Sequence, residues 1–384
     1  MSDAAGGPRR VAYVIGELGK GGAEYQLYEL LRGLDRSRFA PTVFALAAEG
    51  YWAEPIRALG LPVHEFAARR SADVGRVRRL RQALRRLAPH VLHTVLWSGN
   101  SYGRLAAFRL RIPVVITAER NVIARPPWQI AVERALDAWT DVYLVNSHAI
   151  VDGLVGREGL PAAKMRVVHN GIDLDRLPAF SLDRRPARRA LGMDPARRLV
   201  AQVGRLEPQK DYPTFLAAAA RVAAALPDVD FVIVGEGGLR AELETTVRRL
   251  GIAQRVRFLG LRHDVPAVLA GVDVLALTSR WEGLPNVVIE AMATGAVAVA
   301  TDVGGCGELI ASDETGILVP PGQPEAVAAA LLEVLAAPER AAGLALAARR
   351  RIEREFTLAA MVANTTSVYE ASLAAKRAAG SAAV

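Results

Sequence analysis

A chain of 384 residues is too long for one ordinary core and suits two α/β domains. Half of it is apolar and about a quarter charged, which excludes disordered and fibrous classes, and one cysteine, Cys306, excludes a disulfide framework or a multi-cysteine zinc site and fits a reducing compartment. The net charge of +8 is uneven: residues 1–175 carry nearly all of the excess.

Met1–Arg10 has no signal-peptide apolar stretch, and Ala326–Ala348, the most apolar long segment, is interrupted by Glu333, Glu339 and Arg340. Short apolar runs then alternate with helical stretches. Strands are predicted at 11–15, 42–45, 63–66, 91–93, 114–117, 142–145 and 166–168. In the second half they are predicted at 199–203, 231–234, 256–259, 274–277, 297–300 and 316–319. Runs apolar throughout, separated by helices, point to parallel strands buried on both faces, hence two doubly wound, Rossmann-like domains in tandem. The pattern breaks over Asn170–Asp194. The expected division is therefore 1–175, 176–355 and a final helix with its tail, 356–384.

Three second-half segments carry chemistry. In Val203–Asp211, Gly204 permits a tight turn, and Arg205 and Lys210 leave the carboxyl end of a strand, where two cations could neutralise a diphosphate without a metal. A solvated loop is the plain alternative. In Val234–Arg240, glycines link strand to helix, but Arg240 replaces the third glycine of a dinucleotide fingerprint, and packing alone also explains such turns. In Ser279–Gly295, Glu282 precedes a Gly-Leu-Pro turn into a helix ending near Thr294. Glu290 follows after seven intervening residues, among apolar neighbours, where an unpaired carboxylate is costly.

Together with Gly19–Glu24, Asn170–Asp173 and Thr301–Glu308, these segments resemble a retaining family-4 glycosyltransferase of GT-B fold, with Glu282 and Glu290 as its E-x7-E motif. The resemblance spans most of the chain. It implies two domains facing across a cleft, with the last helix packing back on the first. Arg205 and Lys210 would hold the donor phosphates, Glu282 the transferred sugar and Glu290 the ribose. Gly204, Gly235, Gly283, Leu284, Pro285, Asn286 and Val287 would line the donor pocket, and Leu261, within Phe258–Arg262, would lie near the base. Gly21 and Gly22 would face the phosphates from the first domain. His93 would stand near the sugar, although a histidine at a strand end is also a common structural element. Arg120 and Asn121 are acceptor-side candidates.

The activity so implied is transfer from a nucleoside diphosphate sugar, UDP by default, to a hydroxyl of a glycan, lipid-linked or small-molecule acceptor, in polysaccharide assembly. It needs no metal and no cofactor. The alternatives are a GT-B nucleotide-sugar epimerase and an inactive sugar-nucleotide-binding subunit; a dehydrogenase fits worse because the glycine fingerprint is incomplete. Val74–Leu87 places Val74, Val77, Leu80, Leu84 and Leu87 on one helical face beside six arginines. That pattern fits either packing on a sheet or an anionic membrane surface, so the expected location is cytoplasmic, with peripheral membrane contact as an option. Nucleic acid is not expected, since no basic surface is interleaved with aromatics.

Overall fold

The computed structural model describes residues 7–48, 50–67, 73–121 and 125–382. The chain divides into two compact units, 1–171 with 358–384, and 172–357. The handover thus falls at 171/172, a few residues before the boundary expected from sequence, and the final helix belongs to the first unit.

The strands of the first unit are β1 (Arg9–Ile15), β2 (Phe39–Ala45), β3 (Val63–Glu65), β4 (Val91–Val95), β5 (Val114–Glu119), β6 (Val142–Val145) and β7 (Met165–Val167). They form one parallel sheet in the order β3-β2-β1-β4-β5-β6-β7. Its helices are α1 (Gly22–Gly33), α2 (Ala53–Ala58), α3 (Val74–Leu87), α4 (Leu96–Ala107), α5 (Pro127–Asp137) and α6 (His148–Asp152). The second unit opens with α7 (Arg185–Ala190). Its strands are β8 (Arg198–Val203), β9 (Val229–Val234), β10 (Val256–Gly260), β11 (Val274–Leu277), β12 (Val297–Thr301) and β13 (Ile317–Val319), parallel in the order β10-β9-β8-β11-β12-β13. Its remaining helices are α8 (Tyr212–Ala225), α9 (Arg240–Arg249), α10 (Val265–Leu269), α11 (Asn286–Thr294), α12 (Cys306–Leu309), α13 (Pro324–Ala336) and α14 (Pro338–Glu355). The last helix, α15 (Leu358–Ala382), returns to the first unit.

Each of the thirteen predicted strands coincides with an observed one, because β-branched and aliphatic runs of this length must be covered on both faces. The alanine-rich stretch forms two helices, since Pro338 cannot continue the helix that ends at Ala336. Among the described residues, no helix is long and apolar enough to cross a membrane.

The basic helix α3 is capped by Asp73, which accepts from the Arg76 N–H at 3.1 Å. Leu80 and Leu84 are fully buried in a core shared with Ala12, Val14 and Leu92, and Val77 and Leu87 pack beside them. The side chain of Val74 lies outside the described residues. The apolar stripe is therefore a sheet-packing face and is not available to lipid. Three of its six arginines are engaged: Arg79 binds Asp73 at 2.9 Å, Arg81 donates to the carbonyls of Leu105 and Ala106, and Arg76 lies over the Tyr102 ring. Arg78, Arg85 and Arg86 are exposed.

Candidate active site

In the second unit the strand order reverses between β8 and β11. A doubly wound sheet opens its ligand crevice at the carboxyl ends of such a pair. The two predicted segments leave these ends, and they interlock. Gln202 Nε2 and Thr278 Oγ1 both donate to the Lys210 carbonyl, at 2.7 and 3.0 Å. Gln209 Nε2 donates to the Trp281 carbonyl at 2.9 Å, and the Arg280 N–H returns a bond to the Gln209 carbonyl at 2.8 Å. The result joins the two charged side chains: Lys210 Nζ meets Glu282 Oε1 at 2.5 Å, and Ser279 Oγ donates to the same oxygen at 2.6 Å. Glu282 is buried, whereas the Arg205 side chain is 64% exposed and, among the described residues, tied only to Glu207 at 3.0 Å. Arg205 is thus a loosely held cation beside a fixed ammonium–carboxylate pair.

Close backbone approach explains the glycines. A Cβ on Gly235 would stand 2.0 Å from the Gly204 carbonyl oxygen, and one on Gly304 would stand 1.9 Å from that of Glu282. Both residues have positive φ, 138° and 55°, which other residues adopt at a cost. The loops after β8, β9, β11 and β12 are thereby pressed together. The Gly283 carbonyl accepts from the Gly305 N–H at 2.7 Å, and the Gly235 N–H donates to the Gly260 carbonyl at 2.8 Å, next to Leu261. Leu261 is 47% exposed, one of the few large aliphatic side chains so placed. Gly283 and Leu284 are buried, and Asn286 and Val287 are half-buried on the first turn of α11, with Pro285 at its N-cap. Glu290 lies one turn on. Its carboxylate has no hydrogen bond or ion pair among the described residues, and burial pushes its pKa up to about 8.

The sequence divides between two family models. The one described as Glycosyl transferases group 1 matches residues 183–351, and Glycosyltransferase Family 4 matches residues 20–176. The chain belongs to the family-4 glycosyltransferases. It is 35% identical over 265 residues to a D-inositol 3-phosphate glycosyltransferase of Mycolicibacterium gilvum, covering 64% of this chain and 59% of the relative. It is 30% identical over 232 residues to the lipopolysaccharide core biosynthesis mannosyltransferase LpsB of Rhizobium meliloti, covering 57% and 66%. The chain thus spans about three-fifths of the length of the first of these relatives. Its fold matches Anabaena HepE, a structure in complex with UDP-glucose, with a TM-score of 0.85 at 23% identity over 94% of this chain and 99% of that one. Sucrose-phosphate synthase of Thermosynechococcus elongatus matches at 0.81 and 22%, over 96% and 100%. The architecture is GT-B.

The first unit of this family-4 chain distributes its candidate residues unevenly. Gly21 caps α1 and Gly22 opens it; a Cβ on Gly21 would stand 2.2 Å from a Glu24 carboxylate oxygen, so the glycine makes room for that buried acid. His93, expected near the sugar, lies in the middle of β4, 1% exposed. Its Nδ1 is 2.6 Å from the Tyr369 hydroxyl, which in turn contacts the Tyr13 hydroxyl at 3.0 Å. Burial, then the charge of Arg120, push the imidazole pKa down to about 3, so the ring is neutral. His93 thus ties α15 to the sheet through Nδ1, while its buried Nε2 has no partner among the described residues. Arg120 is half-buried and donates to Asn170 Oδ1 at 2.8 Å, with desolvation pushing its pKa down to about 10. Asn121 Oδ1 is buried without a partner among the described residues. Sequence reading passed over Ser279, Gln202 and Gln209. A serine three residues before Glu282 is the one local clue; the other contacts depend on β8 lying beside β11.

Proposed function

We propose that this chain moves a sugar from a nucleoside diphosphate sugar to a hydroxyl acceptor, with retention and without metal or cofactor. The observation that carries the reading is the Lys210–Glu282 pair with Arg205 at the switch point of the second sheet, and Glu290 one helical turn beyond. In the proposed step the bond from the anomeric carbon to the diphosphate oxygen breaks, and that oxygen keeps the electron pair. Arg205 and Lys210 neutralise it, which is where charge stabilisation lowers the barrier most. The acceptor oxygen bonds to the same face of the anomeric carbon, and its proton passes to the departing diphosphate. Glu282, already accepting from Lys210 and Ser279, would orient the sugar hydroxyls, Glu290 the ribose, and exposed Leu261 the base. UDP is favoured because HepE is described with UDP-glucose.

Thermal stabilisation by UDP and GDP, in the presence of EDTA, tests this reading. Saturation at a hundredfold above Kd adds about 2.7 kcal/mol. The shift should appear with one nucleotide and vanish in Lys210→Ala, and Glu282→Gln should lower turnover by orders of magnitude with little loss of Tm. No shift with either nucleotide would refute the donor site. Contact with an anionic membrane, if the acceptor is lipid-linked, would fall to exposed Arg78, Arg85 and Arg86 rather than to the apolar face of α3. Co-sedimentation with anionic liposomes should then disappear in the triple glutamine variant and at high salt; binding that survives both would place the contact elsewhere.

A further inference from the structure

Both cations at the switch point of the second sheet are already engaged by carboxylates. Lys210 Nζ lies 2.5 Å from Glu282 Oε1, and an Arg205 guanidinium nitrogen lies 3.0 Å from Glu207 Oε1. The two contacts differ in kind. The Arg205 and Glu207 side chains are 64% and 40% exposed, where solvent leaves an ion pair little strength. Those of Lys210 and Glu282 are 15% and 8% exposed, and a carboxylate so enclosed is costly to strip of its ammonium.

One partner of the enclosed pair is fixed and the other is not. The Glu282 backbone carbonyl lies against Gly304, where a Cβ would stand 1.9 Å from its oxygen, and Oε1 also accepts from Ser279 Oγ at 2.6 Å. The Ser279 carbonyl in turn accepts from Thr301 Oγ1 at 2.6 Å, which ties the serine to the end of β12. Lys210 carries its charge on a flexible four-carbon stem. That stem lies over Gly204: a Cβ there would stand 2.9 Å from Lys210 Cε and 3.2 Å from Cδ. The absent methyl leaves a trough in which the ammonium can swing while the carboxylate keeps its place.

On the donor reading above, a diphosphate and Glu282 compete for this one ammonium. An intact sugar nucleotide brings hydroxyls that donate to Glu282 and replace the ammonium it gives up. A nucleoside diphosphate brings none there, and leaves the buried carboxylate with Ser279 alone. We propose that Glu282 is a built-in competitor that weakens the hold on the spent nucleoside diphosphate relative to the intact donor, and so clears the site after transfer. The inference rests on that reading, which gives the phosphates to Lys210 and the sugar to Glu282.

The test is titration calorimetry on the full chain with UDP and with GDP, neither carrying a sugar, in the wild type, Glu282→Gln and Glu282→Asp. Glutamine removes the charge; aspartate keeps it but withdraws it by one methylene, out of contact with Nζ. Both variants should bind the nucleotide at least about fivefold more tightly than the wild type, although both lose transfer. Tighter binding by the glutamine variant alone would mean that the carboxylate merely repels the phosphates, and overturns the proposal. Unchanged or weaker binding in both variants overturns it as well. Binding of neither nucleotide by the wild type or by either variant would instead defeat the donor reading itself.

Discussion

Glu290 and Glu282 are the same residue type within one motif, yet their surroundings differ. Glu282 has an ammonium and a hydroxyl on one oxygen, whereas Glu290 has neither, and burial alone pushes it up to about 8 from an ordinary 4.5. A carboxyl whose folded pKa is raised binds its proton more tightly in the native state. Between about pH 4.5 and 8 the native state therefore holds more protons than the unfolded chain, and stability falls as pH rises through that window. Replacing Glu290 by glutamine removes the titration. The variant should be more stable than the wild type at pH 9, by about 2–4 kcal/mol, and the two should converge near pH 4.5. It should also bind nucleotide more weakly if, as proposed above, the Glu290 carboxylate accepts the ribose hydroxyls. Denaturant midpoints from pH 4.5 to 9 check the first part; equal stabilities across the range would show that Glu290 is solvated and its pKa ordinary.

At the scale of elements, the loops of the second unit hold one another by backbone contact, which a methyl group can probe. Gly235→Ala would force Cβ to within 2.0 Å of the Gly204 carbonyl at a φ of 138°. It should cost about 2 kcal/mol or more, lower Tm by roughly 5 °C, and reduce nucleotide stabilisation because Gly204–Lys210 is displaced. Gly238→Ala, three residues on and with nothing within 4 Å of its Cβ, should be within about 0.5 kcal/mol of neutral. Equal effects of the two would mean that the turn adapts. Read from sequence, Gly235 was a weak signal, since packing and phosphate binding leave the same mark. The strands were legible because burial on both faces writes itself into consecutive residues such as Val142–Val145. The partners of Glu282 and His93 were not, because strand order alone brings Lys210 to Glu282, and only the return of α15 brings Tyr369 to His93. The apolar stripe of α3 was legible as a stripe; that it meets a sheet is a tertiary fact.

For the whole molecule, the decisive feature is that the chain begins and ends in the same unit. The second unit is an insertion whose two entry segments are bonded to each other, the Ile172 N–H donating to the Phe356 carbonyl at 3.0 Å. The first unit's core is completed by Met361, Tyr369 and Leu373 of α15, all nearly or fully buried. Tyr369 carries both apolar area and the only hydroxyl within hydrogen-bond reach of His93 Nδ1 among the described residues. Tyr369→Phe keeps the ring and strands the imidazole nitrogen, which should cost about 1–3 kcal/mol. Tyr369→Ala adds a cavity and should cost about 3–5 kcal/mol. Because the two units have separate cores, both losses belong to the first. Calorimetry should show one transition moving down in the order wild type, Phe, Ala, while the transition that UDP or GDP stabilises in the second unit keeps its ligand shift. If Tyr369→Phe instead abolished that shift, the nucleotide site would depend on the first unit's core, and a donor site assembled within residues 172–357 alone would be excluded.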